Sequence, residues 1–136
     1  MYVLGSDEWL RALKEAVNSS QAYADAAKTW EGDFYFIIES GGAVEEEIVM
    51  YMDLWHGKCR DAFVASDRSA KDPAFVINAP ESAWRKVIGK QLDPIQGLLT
   101  RQLKLQGDMI KIMKAVKAAK ELVECTTMVP TEYHDE

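Results

Sequence analysis

Enzyme signatures are missing from this chain: there is no Gly-x-Ser-x-Gly elbow, no phosphate-cradling glycine loop and no His-Glu-x-x-His pair. Histidine is scarce, with His134 near the C-terminus and His56 beside Gly57. The second placement reads as a hairpin turn rather than a general base. The two cysteines, Cys59 and Cys125, have neither metal nor redox spacing. Two isolated thiols suit a reducing compartment and read as packing residues. No apolar run approaches the ~20 residues of a membrane span. The opening MYVLGSDEW lacks the charged-then-apolar order of a signal peptide, and Tyr133-His134-Asp135-Glu136 is no peroxisomal address. A cytoplasmic location is the expectation. A basic excess is also lacking: 22 acidic against 16 basic residues give a net charge of −6. Nucleic-acid binding, which depends on neutralising phosphates, is therefore not expected.

The acidic residues offer little chemistry. Glu45-Glu46-Glu47 are consecutive, and neighbours along a strand point to opposite faces, so three in a row do not converge on one metal ion. A solvated approach to a strand is the better account. Asp53 and Asp61 interrupt otherwise apolar strands, where a carboxylate needs a partner. Arg60 or Arg85 is the candidate for that pairing, and the alternative is that Asp53 marks a polar cavity mouth.

What the chain has is apolar material, 48% of 136 residues, with 28% charged. This is a soluble globular balance, and a single domain of this length buries about two-thirds of its unfolded surface without disulfides. Residues 1–33 read as N-terminal helical pieces: Ser6-Asp7-Glu8 starts a helix burying Trp9, Leu10, Leu13, Ala16 and Val17. Asn18-Ser19-Ser20 interrupts it, and a second helix covers 21–30. Residues 34–79 read as a four-strand meander. Phe34–Glu39 is apolar on both faces and hence central. Glu45–Trp55 returns with Ile48, Met50, Met52 and Leu54 on one face and Val49, Tyr51 and Trp55 on the other. Lys58–Ser66 pairs back across His56-Gly57, and Ala74–Asn78 follows a polar loop. Residues 80–124 supply a helix from Pro80 to about Asp93, a short helix opened by Asp93-Pro94, an edge strand and a terminal helix. Residues 125–136 form a tail. The order is α+β, one sheet covered by helices.

The segment 103–123 organises the rest. Leu103 and Leu105 alternate with Gln102, Lys104 and Gln106, the period of a half-buried strand. Gly107-Asp108 turns and caps. Met109, Ile112, Met113, Val116, Ala119 and Val123 then share a helical stripe opposite Lys111, Lys114, Lys117 and Lys120. On the residues alone this helix closes a hydrophobic core; closing a cavity is the second reading, because methionines suit loosely defined apolar ligands. The lysine face reads as solvated, with weak docking to anionic lipid as the lesser alternative.

From Ala74 onward the sequence resembles the sterol carrier protein-2 (SCP-2) family. The resemblance rests on Gly89-Lys90, Asp93-Pro94, and Leu103-Lys104-Leu105 followed by Gly107 and Met109. Upstream, Ala26-Ala27-Lys28, Trp30-Glu31-Gly32-Asp33 and Asp53-Leu54-Trp55-His56-Gly57-Lys58-Cys59 look like free-standing microbial members. Thr100-Arg101-Gln102 departs from the family's smaller residues before the Leu-Lys-Leu strand. The resemblance implies a single SCP2-like domain over 1–136: a five-stranded mixed sheet covered by helices, with an apolar tunnel closed by the C-terminal helix. It implies non-catalytic binding of a sterol, fatty acid or fatty acyl-CoA, with no cofactor. The expected lining is Leu103 and Leu105 from the edge strand and Met109, Ile112, Met113 and Val116 from the terminal helix. Trp84, Ile88, Leu98 and Leu99 form the lid, and Met50 and Met52 contribute from the sheet. The rival is an interaction or dimerisation module with a filled core, acting as an accessory to a lipid-pathway enzyme.

Overall fold

The computed structural model describes residues 1–135. Five strands make the main sheet: β2 (Glu31–Ile38), β3 (Ile48–Trp55), β4 (Lys58–Ala65), β5 (Phe75–Ala79) and β6 (Lys104–Gln106). Their spatial order is β4-β3-β2-β5-β6. β2 is therefore central, as its doubly apolar sequence requires. It runs antiparallel to β3 and parallel to β5, and β6 closes the edge antiparallel to β5.

The meander expected over residues 34–79 holds for β2, β3 and β4 but not for the fourth strand. Instead of adding beside β4, β5 returns to the other side of β2. Side chains anchor the connecting loop across the back of the sheet. The Tyr35 hydroxyl accepts the Lys71 N–H at 2.7 Å and lies 3.0 and 3.1 Å from the Lys71 and Arg68 carbonyl oxygens. Arg68 forms a two-pronged ion pair with Glu47 at 2.9 and 3.0 Å. A two-pronged arginine–carboxylate contact fixes orientation as well as distance. Beneath that loop, Tyr35, Ile37, Val49, Tyr51 and Ala65 form a small second core.

The other face carries the larger core, with Phe34, Ile38, Met50, Met52 and Leu54 pointing towards the helices. Alternation along β3 sorts its side chains between the two faces as the sequence pattern predicts. A bulge between Asp53 and Leu54 disturbs the β3–β4 register. There Arg60 reaches across to Asp53 with Nε at 2.9 Å and Nη2 at 3.2 Å. This is one of the two expected pairings, and it places a positive charge beside Asp53 and Asp61, which face each other across the strands.

α1 (Asp7–Ser19) is capped by Ser6, whose hydroxyl accepts from the Trp9 N–H at 3.2 Å. Ser20 does the same for α2 (Gln21–Ala26), accepting from Tyr23 N–H at 3.0 Å. The polar triplet 18–20 is thus a cap between two helices, and α2 ends four residues before Trp30. Asn18 ties α1 to the sheet by accepting from Cys59 N–H and donating to the Cys59 carbonyl, at 2.8 and 2.9 Å. α3 (Glu81–Ile88) stops at Gly89, short of the expected Asp93, because Lys90 takes a left-handed turn at φ 60°. α4 (Pro94–Leu99) is capped by Asp93, which accepts from Ile95 and Gln96 at 2.8 and 3.2 Å.

The single terminal helix expected from Met109 is instead two, α5 (Met109–Met113) and α6 (Val116–Thr127). Asp108 caps α5 as read from the sequence, and the break falls at Ala115, φ −112° and ψ 35°. Part of the C-terminal tail joins a second, two-stranded sheet. Thr131–Glu132 (β7) pairs in parallel with Tyr2–Val3 (β1), and Thr131 accepts from Trp9 Nε1 at 2.9 Å.

His56 and Gly57 turn the β3–β4 hairpin with φ values of 50° and 79°, the left-handed pair that a tight two-residue loop needs. A Cβ on Gly57 would lie 2.8 Å from the Cα and carbonyl oxygen of Ala24. Gly57→Ala therefore combines backbone strain with a clash against main chain that cannot rotate away. The expected loss is about 1–3 kcal/mol, read as a lower denaturation midpoint in urea with an unchanged slope.

Candidate functional site

The helix-facing side of the sheet is paved with aromatics because β2 presents Phe34 and Phe36 there and β5 adds Phe75 beside them. Phe34 and Phe36 stack at 4.9 Å, Phe34 and Phe75 at 5.0 Å, and Trp30 lies 5.7 Å from Phe34. Trp84 from α3 meets Phe36 edge-on at 6.1 Å and donates its indole N–H to the Ile37 carbonyl at 3.0 Å. The bond holds a bulky lid residue at a fixed height above the sheet. Lys111 closes one end of the row. Its ammonium lies 5.0 Å from the centre of the Trp30 ring and donates to the Glu31 carbonyl. That part of the lysine stripe is therefore engaged with the aromatic row rather than merely solvated.

Above this floor lies an apolar void of about 140 Å³. Its roof is α6, which packs against α1, α2, α3, α4 and α5. Three small side chains at the start of α6, Ala115, Ala118 and Ala119, line the void. Short side chains over a rigid aromatic floor leave space unfilled. The half-buried lining residues Trp84, Ile88, Ile95, Leu122 and Val123 mark the rim between α3–α4 and α6. Across that seam, Lys90 after α3 pairs with Glu124 of α6.

Of the twelve residues expected to line a tunnel, Met50, Met52, Trp84, Ile88, Leu98, Leu103 and Ile112 border the void. Leu105 and Met109 are half-buried against the core without bordering it. Met113 and Val116 are half-buried outside that cluster, and Leu99, at the end of α4, is 59% exposed. The break at Ala115 explains Met113 and Val116, since it resets the helical phase and turns Ala115, Ala118 and Leu122 inward instead. The expectation also omitted the N-terminal wall: Leu4, Trp9, Leu10 and Leu13, with Tyr23 of α2. Trp9, Leu10 and Leu13 carry a clear helical stripe, but nothing in the sequence says that α1 faces the void.

Among the described residues, no cluster of His, Cys, Asp or Glu has the arrangement to hold a metal ion, and no helix is long and apolar enough to cross a membrane. The two thiols are buried and unpaired. Burial pushes the Cys59 thiol from its ordinary 9.0 to about 11 and raises Cys125 as well.

Residues 10–120 match the model of the SCP-2 sterol transfer family. A crystal structure of sterol carrier protein 2 is 30% identical with a TM-score of 0.84, and the match covers 93% of this chain and 99% of that one. A solution structure from Thermus thermophilus, described as a candidate sterol carrier protein, is also 30% identical at TM-score 0.84, covering 95% and 91%. Sterol carrier protein 2 from Yarrowia lipolytica, in its apo form, shares the fold at TM-score 0.60 and 13% identity, over 85% of this chain and 87% of its own. No curated protein matches the chain.

The thiol environment makes a measurable prediction. A folded pKa raised above the unfolded one contributes stability that is complete below the unfolded value and is lost as pH rises through the folded one. For Cys59 the window runs from about pH 9 to about pH 11. Ellman's reagent at about pH 8 is expected to leave both thiols unreacted in the native protein and to titrate both in urea. Resistance to urea should fall across the Cys59 window.

Proposed function

The chain belongs to the SCP-2 sterol transfer family, and from that premise we propose that its void is a lipid-holding tunnel. The protein would bind and carry a sterol, fatty acid or fatty acyl-CoA without catalysing a reaction on it. The observation that supports this most directly is the apolar space under α6, walled by the sheet's aromatics and by alanines. A filled interaction module would close that space with larger side chains.

Size sets a condition on the proposal. The void of about 140 Å³ resembles an apolar cavity that takes one benzene-sized group, smaller than the ~300–1,000 Å³ of common ligand pockets. A whole lipid therefore enters by parting the rim. The cost is modest where α3 meets α6, since Lys90 and Glu124 form an exposed ion pair, a class worth about 0–1 kcal/mol. The gain is large. Each methylene taken out of water contributes about 0.8 kcal/mol, so about fifteen give ~12 kcal/mol before ordering costs. Met50, Met52, Trp84, Ile88, Leu98, Leu103 and Ile112 would touch the ligand first. Leu105 and Met109, already packed beside them, join as the walls separate. The exposed Lys114, Lys117 and Lys120, after α5 and along α6, would be available for brief contact with an anionic membrane surface, where a hydrophobic ligand would be loaded.

Native mass spectrometry after gentle purification tests the assignment. A co-purifying lipid mass is expected, whereas a lipid-free dimer resistant to dilution would point to the interaction module. Filling the void is the second test. Ala118→Leu places three more carbons under α6, and displacement of a fluorescent lipid should show affinity reduced at least about tenfold. The melting temperature is expected to hold or rise, because the added carbons occupy existing space.

A further inference from the structure

Tyr23 is the one large polar side chain on the void's wall, and it is only 2% exposed. It sits on α2, which packs against α6, with Cys59 and Cys125 nearby. Neither its neighbours nor the backbone takes its hydroxyl: among the described residues no hydrogen bond to the Tyr23 oxygen is present, although Tyr35 and Tyr51 both use theirs. A phenol is both donor and acceptor, and a buried one normally finds a partner. Among the described residues, no buried side-chain nitrogen or oxygen is both sealed from space and unpaired. The Tyr23 hydroxyl therefore keeps a little accessible surface, on a residue that lines the void.

We propose that the Tyr23 hydroxyl is a hydrogen-bonding terminus for the ligand, receiving a neutral oxygen, hydroxyl or carbonyl, on an otherwise hydrocarbon molecule that enters oxygen-first. The proposal rests on the lipid-holding reading and specifies the ligand's inner end. Two surroundings favour a neutral group. No Lys, Arg or His lines the void to balance a carboxylate, and an unbalanced buried charge is strongly disfavoured. Burial also raises the Tyr23 phenol above its ordinary value, so charge is resisted at this residue. Thr126 lines the same void. Its hydroxyl donates to the Val123 carbonyl at 2.5 Å, so it can offer only an acceptor to an arriving hydroxyl. Tyr23 alone can meet either a hydroxyl or a carbonyl.

The test compares 1-dodecanol with dodecane as displacers of a fluorescent hydrocarbon probe, using the full chain and Tyr23→Phe. The substitution removes one oxygen and leaves the ring in place. The alcohol is expected to weaken about fivefold in the variant, the worth of one neutral hydrogen bond, while dodecane is unchanged. Equal behaviour of the two ligands in both proteins would overturn the terminus while leaving the lipid-holding reading intact. Displacement by neither ligand in the unsubstituted protein would overturn both. Should the variant not fold, tyrosine labelled with ¹³C at Cζ answers in the unsubstituted chain. The Tyr23 resonance should shift with the alcohol and not with the alkane, and an equal response to both would count against the terminus.

Discussion

The structure depends on how α6 is held. Its close neighbours are the other helices, which stand around it and carry it across the aromatic face of the sheet. A helix pressed directly onto a sheet would fill the interface with interdigitating side chains, as close-packed interiors do. Here the inward side chains include Ala115, Ala118 and Ala119, too short to reach the rings of Phe34 and Phe36 across the gap. Supports around the edge and short side chains in the middle are together sufficient to leave a void in an otherwise well-packed core.

Such a void is tolerated because polar demands are met elsewhere. Side-chain caps for α1, α2, α4 and α5 come from Ser6, Ser20, Asp93 and Asp108. The indole N–H groups of Trp9, Trp30 and Trp84 donate to Thr131, Gly32 and Ile37, so these large rings serve the interior without stranding a donor there. Charged pairs stay outside: Asp53 with Arg60, Glu47 with Arg68, Lys90 with Glu124. The wall of the void is left to hydrocarbon, to indoles whose N–H groups are already used, and to Tyr23 and Thr126. An apolar wall discriminates weakly between similar shapes, so under the proposal the Tyr23 hydroxyl, with that of Thr126 committed to the Val123 carbonyl, has a large share in deciding which way round a ligand lies.

The family assignment and the local structure agree because they draw on the same residues. Gly57 is where the hairpin must turn left-handed beside the Ala24 backbone. Asp93-Pro94 is a helix start whose capping bonds form as the sequence predicts. Leu103, Lys104 and Leu105 lead along an edge strand to a turn at Gly107. Local motifs of this kind persist because their physical reasons are confined to a few neighbouring atoms, which is also why a 30% identical relative keeps the whole fold.

The sequence by itself determined the α+β class, the central position of β2, the sorting of β3 between two faces, and most of the caps. All of these follow from periodicity or from a side chain acting on its near neighbours in the chain. Tertiary structure decided that β5 runs beside β2, that the helix after Gly107 breaks at Ala115, and that α1 and Tyr23 form a wall of the void. Each depends on contacts between segments far apart in the chain. The break illustrates the difference: a stripe from Met109 through Val123 satisfies a continuous helix equally well. Only packing against α1–α4 turns Ala118 inward and Val116 aside. Void volume belongs to the same class, since it is set by the distance between packed elements rather than by the identity of any residue along one of them.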